Sequence, residues 1–227
     1  MRKTTSYQRR TGRLGSNQKS QLLKNKFLLR AGIATAIKDQ TKRFSRAHVE
    51  IGFGMGEHLL KNASTNPDIL FIGIDIYKPG IAYVLTEIDN QEIKNCYLVE
   101  GDAVDVIVEL EGIGFHHIDI AHPDPWPKKR HKKRQLISKE FLKTLIGALH
   151  NGGKVHIVTD DFPYFEAILA ASKEIETKGI TVSIERGRAP NSKYGRKAKS
   201  EGREINGIEI VKYHATTERT ESSISMT

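Results

Sequence analysis

From His48 onward the sequence alternates short apolar runs with amphipathic stretches, and this alternation limits the fold more than any other feature of the chain. The apolar runs have the length of buried strands, and the stretches between them have helical spacing. Strands that alternate with helices form a mostly parallel sheet with helices on both faces. The last two apolar runs have no helical pattern between them, so we expect an antiparallel end. The predicted fold is α/β, doubly wound, with seven strands.

The same pattern divides the chain into three parts. Residues 1–46 form a basic N-terminal arm and helix, residues 47–214 form the α/β domain, and residues 215–227 form a flexible tail. Strands are predicted at 49–51, 69–74, 97–100, 117–121, 155–159, 180–185 and 208–213. Helices are predicted over 18–31, from 57, and over 81–93, 104–110, 138–149 and 162–176, with Ser138 as a cap.

Charge is distributed unevenly around a formal net charge of +9. Residues 1–46 carry +12, residues 47–127 carry −11, residues 128–199 carry +10, and the remainder carries −2. Two basic segments therefore flank an acidic centre, which is the electrostatic pattern of a protein that binds a polyanion. A solubilising surface is the alternative, and the Arg-rich start is also compatible with an organellar transit peptide.

Several classes of protein are disfavoured by composition. No run approaches the ~18 consecutive apolar residues of a membrane helix. The single cysteine, Cys96, excludes an internal disulfide framework and any cysteine-rich metal site. The histidines are scattered, and we interpret His116 and His117 as strand-edge filler, so no metal is expected. These features favour a cytoplasmic protein, and they leave open whether it is a monomer or a homodimer.

A glycine-rich turn follows the first strand of the α/β domain. Its spacing, from Glu50 to Gly56, is E-x-G-x-G-x-G. Glycines in such a turn let the backbone bend tightly and let a ligand approach closely. A dinucleotide fingerprint needs G-x-G-x-x-G, whereas here the third glycine comes one position early and Glu57 takes its place. The spacing resembles the first motif of class I S-adenosylmethionine-dependent methyltransferases, whose cationic donor suits an acid such as Glu50.

Two further acids follow the next two strands. Asp75 ends the second strand, where a carboxylate is placed to accept the hydroxyls of a ribose. Asp102 follows the third strand, and in the methyltransferases that this chain resembles the acid there, or its neighbouring backbone, contacts the adenine amino group. The alternatives are a polar strand end for Asp75 and a helix N-cap for Asp102, and the N-cap and cofactor roles can coexist.

A proline-rich loop follows the fourth strand. Residues 122–127 read His-Pro-Asp-Pro-Trp-Pro, and the three prolines fix the backbone φ of a loop at the functional edge of the sheet. Residues 128–134, Lys-Lys-Arg-His-Lys-Lys-Arg, then carry six formal positive charges. Their position beside the candidate reaction centre favours phosphate contacts over a merely solvated run.

Residues 123–134 resemble the signature of the bacterial tRNA (guanine-N7-)-methyltransferase family, in the pattern Pro-Asp-Pro-Trp-x-Lys-x-Arg-His-x-Lys-Arg. The basic start at 6–14, the Phe-Gly-Met-Gly turn at 53–56 and the Thr-Asp pair at 159–160 also match, so the resemblance covers roughly 6–214. It implies a Rossmann-like methyltransferase sheet. It also implies methyl transfer from S-adenosylmethionine to N7 of the guanine at position 46, in the variable loop of tRNA.

The resemblance assigns roles to three groups of residues. The cofactor-binding residues are Glu50, Gly52, Gly54, Gly56, Asp75 and Asp102. Asp124 lines the reaction site by the same resemblance and is the candidate catalytic residue, whose carboxylate would act either by stabilising the positive charge that develops on the base or by binding the guanine edge. The substrate-binding residues are Lys128, Arg130, Asp160, Ser192, Lys193, Tyr194 and Gly195. Trp126 or Tyr194 would stack on an extruded base, unless Trp126 packs in the core.

The chain departs from the family pattern near its C-terminus. The family usually has Thr-x-aromatic-Glu, whereas this chain has Ser192 at the first position and Gly195 at the last. A glycine cannot replace a carboxylate, which affects substrate affinity, target choice or activity. Glu201 and Glu204 are candidates to supply the acid. His122 also occupies a position where a larger apolar or amide residue is expected.

Three alternative functions follow from these features. The first is a methyltransferase that acts on another nucleic acid, a protein or a small molecule. The second is an RNA-binding protein without activity on a methyltransferase scaffold, which Gly195 favours and the intact acids oppose. The third is a nicotinamide oxidoreductase, which the glycine spacing and Glu50 disfavour.

Overall fold

The computed structural model of the chain describes residues 14–186 and 193–213, with side chains for 14–185 and 195–213. The first thirteen residues of the basic arm, residues 187–192 and the tail after 213 lie outside this range. Within the described ranges, no helix is both long enough and apolar enough to cross a bilayer.

The fold is an eight-stranded sheet with helices on both faces. Its strands are β1 (Leu28–Leu29), β2 (Arg46–Ile51), β3 (Ile69–Asp75), β4 (Cys96–Glu100), β5 (Phe115–Ala121), β6 (Leu149–Thr159), β7 (Ile180–Arg186) and β8 (Asn206–Lys212). Their order across the sheet is β1-β4-β3-β2-β5-β6-β8-β7. Strands β1 to β6 pair in parallel, and β8 runs antiparallel to both β6 and β7. The α/β class and the antiparallel end are thereby confirmed.

Helices connect the strands, and between β2 and β7 they follow the predicted alternation. They are α1 (Ser16–Lys24), α2 (Ile33–Thr41), α3 (Glu57–Thr65), α4 (Lys78–Asn90), α5 (Ala103–Glu109), α6 (Lys139–Ala148), α7 (Phe162–Lys173) and α8 (Lys193–Ser200), with a 3-10 helix at Lys129–Arg134. The predicted cap of α6 is confirmed, since the Ser138 side chain accepts a hydrogen bond from the backbone N–H of Phe141 at 3.2 Å.

The two faces of the sheet bury separate hydrophobic clusters, because alternate residues of a strand point to opposite faces. Leu70, Ile72 and Ile74 of β3 belong to the larger cluster, which also contains buried residues of α5, α6 and α7. Phe71 of β3 belongs to the smaller cluster, which contains buried residues of α3 and α4. This packing holds the carboxyl ends of the parallel strands at one edge.

The chain order creates a crevice beside β2. The chain runs outward from β2 through β3 to β4 and then returns to pair β5 with the other side of β2. Strand order therefore reverses between β2 and β5. Ligands of open α/β sheets bind outside the carboxyl ends of the strands at such a switch point.

The N-terminal prediction of one helix over 18–31 is wrong at its C-terminal end. Helix α1 ends at Lys24, Asn25 is extended, and Leu28 and Leu29 form β1 by pairing with Leu98 and Val99 of β4. The apolar spacing fitted a helix, but burial of the leucines at the sheet edge is the stronger effect, since long-range pairing overrides local propensity.

Further elements differ from the sequence prediction. Helix α2 (Ile33–Thr41) lies where no helix was predicted. The edge strand β1 brings the strand count to eight instead of seven. Helix α8 lies between β7 and β8, where the sequence has no helical pattern. Its sequence is dominated by basic residues and Gly195, so it has almost no apolar stripe, but Ala198 is fully buried against Val158 and Ile205. Tertiary packing, and not amphipathic periodicity, accounts for this helix.

Candidate active site

The glycine turn joins β2 to α3 in a conformation that favours glycine. Gly52, Gly54 and Gly56 have φ values of +75°, +58° and +71°. At Gly56 a side chain is excluded by contact as well, because an added Cβ would lie 2.3 Å from Cγ2 of Val84. At Gly52 and Gly54 an added Cβ would meet no atom within 4 Å. The turn therefore packs on α4 at one end and leaves open space beside its first two glycines.

Asp75 supports the turn from the end of β3. Its Oδ2 accepts a hydrogen bond from the N–H of Gly54 at 2.7 Å. Its Oδ1 accepts from the N–H groups of Ile76 and Tyr77 at 2.7 and 2.8 Å. A carboxylate that binds three backbone donors fixes the turn and the start of α4 in one arrangement. The contact of this carboxylate with a ribose stays a prediction.

Glu50 lies on β2 directly before the turn and pairs with a residue that the sequence analysis did not identify. His58, on the first turn of α3, places Nδ1 2.9 Å from Oε2 of Glu50. Burial raises the pKa of Glu50, and the His58 contact opposes that rise. Burial disfavours the imidazolium of His58, but the Glu50 carboxylate outweighs it and raises the pKa of His58. The pair holds a proton between two partly buried groups beside the glycine turn.

Asp102 begins α5 after β4. Its Oδ1 accepts a hydrogen bond from the N–H of Val104 at 3.0 Å, so the predicted N-cap role is confirmed. The N–H of Gly101 donates to the backbone carbonyl of Asp75 at 3.1 Å, which joins the ends of β3 and β4. Glu50, Asp75 and Asp102 thus stand at or near the carboxyl ends of three adjacent strands, as predicted.

The Pro-Asp-Pro-Trp loop follows β5 on the other side of the switch point. His122 and Trp126 have φ values of +50° and +46°, in the left-handed region that non-glycine residues rarely occupy. Backbone strain of this kind persists where the surrounding structure enforces it, and it is concentrated at functional sites. Between these two residues, Asp124 is half-buried and makes no hydrogen bond or ion pair within the described part of the chain.

Trp126 packs against the basic segment and is not available to stack on a base. Its side chain is buried, with the guanidinium of Arg134 4.8 Å above its ring and the ring of His131 at 5.7 Å. The amide of Gln135 donates to the backbone carbonyl of Pro125 at 2.7 Å. These contacts hold the 3-10 helix beside Asp124, while Lys128 and Arg130 stay exposed to solvent. The alternative of Trp126 as a packing residue is the one that the structure bears out.

Asp160 is the centre of a charged network at the end of β6. Its Oδ1 lies 2.8 Å from Nδ1 of His122, and its Oδ2 pairs with the guanidinium of Arg203. Arg203 also pairs with Glu201 at 2.7 Å. Burial, with a smaller effect of Arg203, lowers the pKa of His122, so its neutral imidazole donates Nδ1–H to Asp160. The predicted residue Asp160 is therefore tied to the strained loop and to the segment after α8.

Helix α8 contains Gly195, where the chain departs from the family pattern, and it lies close to the glycine turn. Gly195 is buried, and Arg196 pairs with Glu57 of α3 at 2.8 Å. Glu57 directly follows Gly56, so α8 docks next to the candidate cofactor site. Ser192 and the side chains of Lys193 and Tyr194 lie outside the described residues.

Comparison with known proteins shows which family has this arrangement. A family model described as "Putative methyltransferase" matches residues 45–208. A tRNA (guanine-N(7)-)-methyltransferase of Alkalilimnicola ehrlichii is 32% identical over 210 residues, covering 88% of this chain and 89% of the relative. The protein of that name from Nitrosococcus oceani is 33% identical, covering 88% and 87%. The chain belongs to the tRNA (guanine-N(7)-)-methyltransferase family.

Solved structures agree on the fold of this family member. A variant of the 16S rRNA (adenine(1408)-N(1))-methyltransferase from Catenulisporales acidiphilia, with the cosubstrate SAM, superimposes with a TM-score of 0.59 at 15% identity. The match covers 82% of this chain and 94% of that one. The sheet is therefore a Rossmann-like methyltransferase sheet, as the resemblance implied.

The structure brings most of the predicted residues of this methyltransferase to one edge of the sheet, but it adds partners that sequence reasoning missed. His58 and Arg203 were not identified, although each pairs with a predicted acid. No local pattern marks them, since His58 is eight residues from Glu50 and Arg203 is forty-three residues from Asp160. Only the fold reveals these pairs.

Proposed function

We propose that this chain transfers the methyl group of S-adenosylmethionine to N7 of guanine in tRNA, at position 46 in the variable loop. Family membership supports the reaction, and one observation supports the reaction centre. Among the acids assigned to the site, Glu50, Asp75, Asp102 and Asp160 have partners in the protein, whereas Asp124 has none in the described residues. Its half-buried carboxylate is available for a substrate.

S-adenosylmethionine would bind along the carboxyl ends of β2, β3 and β4. The open space beside Gly52 and Gly54 admits a ligand against the backbone. Glu50 provides negative charge near the cationic part of the donor, and the Asp75 carboxylate, at the end of β3, would accept ribose hydroxyls. The start of α5, with Asp102 as its cap, would border the adenine. The bound cosubstrate supplies an electrophilic methyl group on a sulfonium.

Methyl transfer to N7 needs positioning more than proton transfer. The N7 atom of guanine has a free lone pair, so no base has to deprotonate it before attack. The reaction is an in-line displacement, for which orientation of the two reactants supplies much of the rate. The guanine ring gains positive charge as the sulfonium loses it. The fixed carboxylate of Asp124 would stabilise that charge without reorganisation, because strained neighbours already hold its loop.

The tRNA would be bound by the basic surface beside Asp124. Lys128 and Arg130 are exposed next to the loop and can contact phosphates. Asp160 is assigned to substrate contact together with Ser192, Lys193, Tyr194 and Gly195. Because Gly195 lacks the family carboxylate, we propose that Glu201, held by Arg203 against Asp160, provides the nearest replacement charge. With tRNA as its substrate, the chain would act in the cytoplasm.

The test is substitution of Asp124 by Asn and by Ala. We expect either variant to bind S-adenosylmethionine with unchanged affinity and to lose about 100- to 1000-fold in the single-turnover rate of methyl transfer to unmodified tRNA. Asp68→Asn is the matched control, because Asp68 is an exposed acid at the opposite, amino edge of the sheet. An unchanged single-turnover rate in both Asp124 variants would remove Asp124 from the reaction.

The same experiment separates the proposal from the binding-protein alternative that Gly195 favours. A catalyst shows single-turnover transfer in the wild-type chain that depends on Asp124. A protein that only binds RNA shows tRNA binding with no transfer in any variant, even when S-adenosylmethionine is bound.

A further inference from the structure

One face of the sheet changes from apolar to polar between β3 and β6. On β3 and β4 this face carries Phe71 and Leu98, which pack with α3 and α4. On β2, His48 is the register partner of Phe71 and so lies on the same face. Polar side chains also occupy this face on β5, β6 and β8. The titratable side chains on this part of the face, besides His48, are those of Glu50, His117, Asp119, Lys154, His156 and Glu209. Helices α5, α6 and α7 pack on the other face.

Three of these side chains converge on one point. His117 and Asp119 are two residues apart on β5 and so share a face, and His156 of β6 is the register partner of Asp119. Nε2 of His117 and Nδ1 of His156 both lie 3.1 Å from Oδ1 of Asp119. One ligand atom from each residue lies within 4.8 Å of the other two.

Two imidazoles and one carboxylate are a donor set for a divalent first-row transition ion. Imidazole nitrogen suits Zn²⁺ and its neighbours, whereas Mg²⁺ prefers oxygen ligands alone. Bonds of about 2.0–2.2 Å place the ligand atoms of a tetrahedral zinc site about 3.3 Å apart. The two distances of 3.1 Å are close to that value. The side chains of His117 and Asp119 are 22% and 17% exposed, which gives solvent access for a fourth ligand.

A second carboxylate orients His156. Oε2 of Glu185, on β7, lies 3.4 Å from Nε2 of His156, the ring nitrogen that faces away from Asp119. When Nδ1 of His156 binds a metal ion, the ring proton lies on Nε2, and Glu185 is the carboxylate placed to accept a hydrogen bond from it. Without a metal ion, Nδ1 of His156 instead hydrogen-bonds to Oδ1 of Asp119 at 3.1 Å.

We propose that His117, Asp119 and His156 form a binding site for Zn²⁺ or a similar divalent transition ion, with Glu185 as a positioning residue. No metal was expected from the sequence, where His117 was paired only with its neighbour His116. Side chains two apart on a strand share a face, whereas adjacent ones do not, so the relevant partner of His117 is Asp119. The inference does not depend on the proposed methyl transfer, and no step of that reaction involves the metal.

The test uses the full-length, untagged chain after removal of metal with a chelator. Competition titration with Zn²⁺ is expected to show one equivalent bound, and millimolar Mg²⁺ should not compete. Asp119→Asn and His156→Gln should lower the affinity by at least about 100-fold, and Glu185→Gln should lower it by about 10- to 100-fold. His150→Ala is the control, because His150 is exposed and stacks on His116 outside the cluster. It should leave the affinity unchanged.

A measurement on the wild-type chain keeps the proposal testable if a variant fails to fold. Long-range ¹H–¹⁵N spectra of the histidine rings should change on addition of one equivalent of Zn²⁺ at His117 and His156 and not at His150. Absence of stoichiometric binding would overturn the site, as would an equal loss of affinity in His150→Ala and His156→Gln. Spectral changes that begin at His150 would overturn it as well.

Discussion

Gly80 lies in the first turn of α4, where the helix packs directly on the glycine turn. A Cβ added at Gly80 would lie 2.0 Å from the backbone oxygen of Gly54 and 2.9 Å from the ring of Tyr77. Gly54 is the residue whose N–H donates to Asp75. Because a backbone oxygen cannot rotate away as a side chain does, Gly80→Ala has to displace the turn or the helix.

The expected size of the effect follows from two opposing contributions. Alanine is favoured over glycine in a helix by about 1 kcal/mol. Overpacking of a well-packed site costs about 1–3 kcal/mol. The net loss in the free energy of unfolding should therefore be at most about 2 kcal/mol. Displacement of the turn should weaken binding of S-adenosylmethionine about tenfold, which corresponds to about 1.4 kcal/mol.

Calorimetric titration with S-adenosylmethionine and thermal unfolding measure the two effects. Gly147→Ala is the matched control, because Gly147 is also helical but its added Cβ would meet the flexible carboxylate of Glu111, at 2.4 Å from Oε1. That variant should keep cofactor affinity and gain up to about 1 kcal/mol of stability. If Gly80→Ala binds S-adenosylmethionine as the wild type does, the contact between α4 and the turn does not shape the cofactor site.

Three other perturbations test the charges of the site. Asp75→Asn places an NH₂ group against backbone donors and should cost about 1–3 kcal/mol of stability, measured by chemical unfolding, and weaken cofactor binding. Burial raises the pKa of the Glu50 carboxyl group, so the ionised carboxylate is less favourable in the folded protein than in the unfolded chain. The stability that the neutral carboxyl group provides is therefore lost as pH rises through the raised pKa. Glu50→Gln should therefore raise the melting temperature of the free protein at about pH 9 more than at about pH 4. The same variant should bind the cofactor more weakly. A larger rise in melting temperature at about pH 4 than at about pH 9 would contradict the raised pKa of Glu50. Alanine substitution of the exposed cations should flatten the salt dependence of tRNA binding by about one unit of slope for each phosphate that is no longer neutralised, and an unchanged slope would mean that the segment is only solvated. The cations to replace are Lys128, Arg130, Lys132 and Lys133.

Features encoded within a few residues could be predicted from the sequence. The turn at Gly52–Gly56 needs left-handed glycines, and its spacing indicated a tight strand-to-helix turn. Asp102 and Ser138 cap helices through hydrogen bonds that reach only two or three residues along the chain. Apolar runs placed the central strands, because a buried parallel strand has few polar positions.

Features that depend on distant parts of the chain could not be predicted. Leu28 and Leu29 look helical by spacing, yet their pairing with β4 depends on residues some seventy positions away. Asp75 was correctly placed at a strand end, but its hydrogen bond to Gly54 depends on how two loops meet in space. The pairing of Asp119 with His156 likewise depends on the register of β5 with β6. Each is a consequence of topology that no local pattern records.

The most direct test of the account is the position of the transferred methyl group. The chain is incubated with radiolabelled S-adenosylmethionine and unmodified tRNA, and the modified nucleotide is mapped. The account predicts label on N7 of the guanine at position 46 in the variable loop, appearing about 100- to 1000-fold more slowly in Asp124→Ala. Label on another atom or nucleotide, or no label from a wild-type chain that binds both S-adenosylmethionine and tRNA, would contradict it.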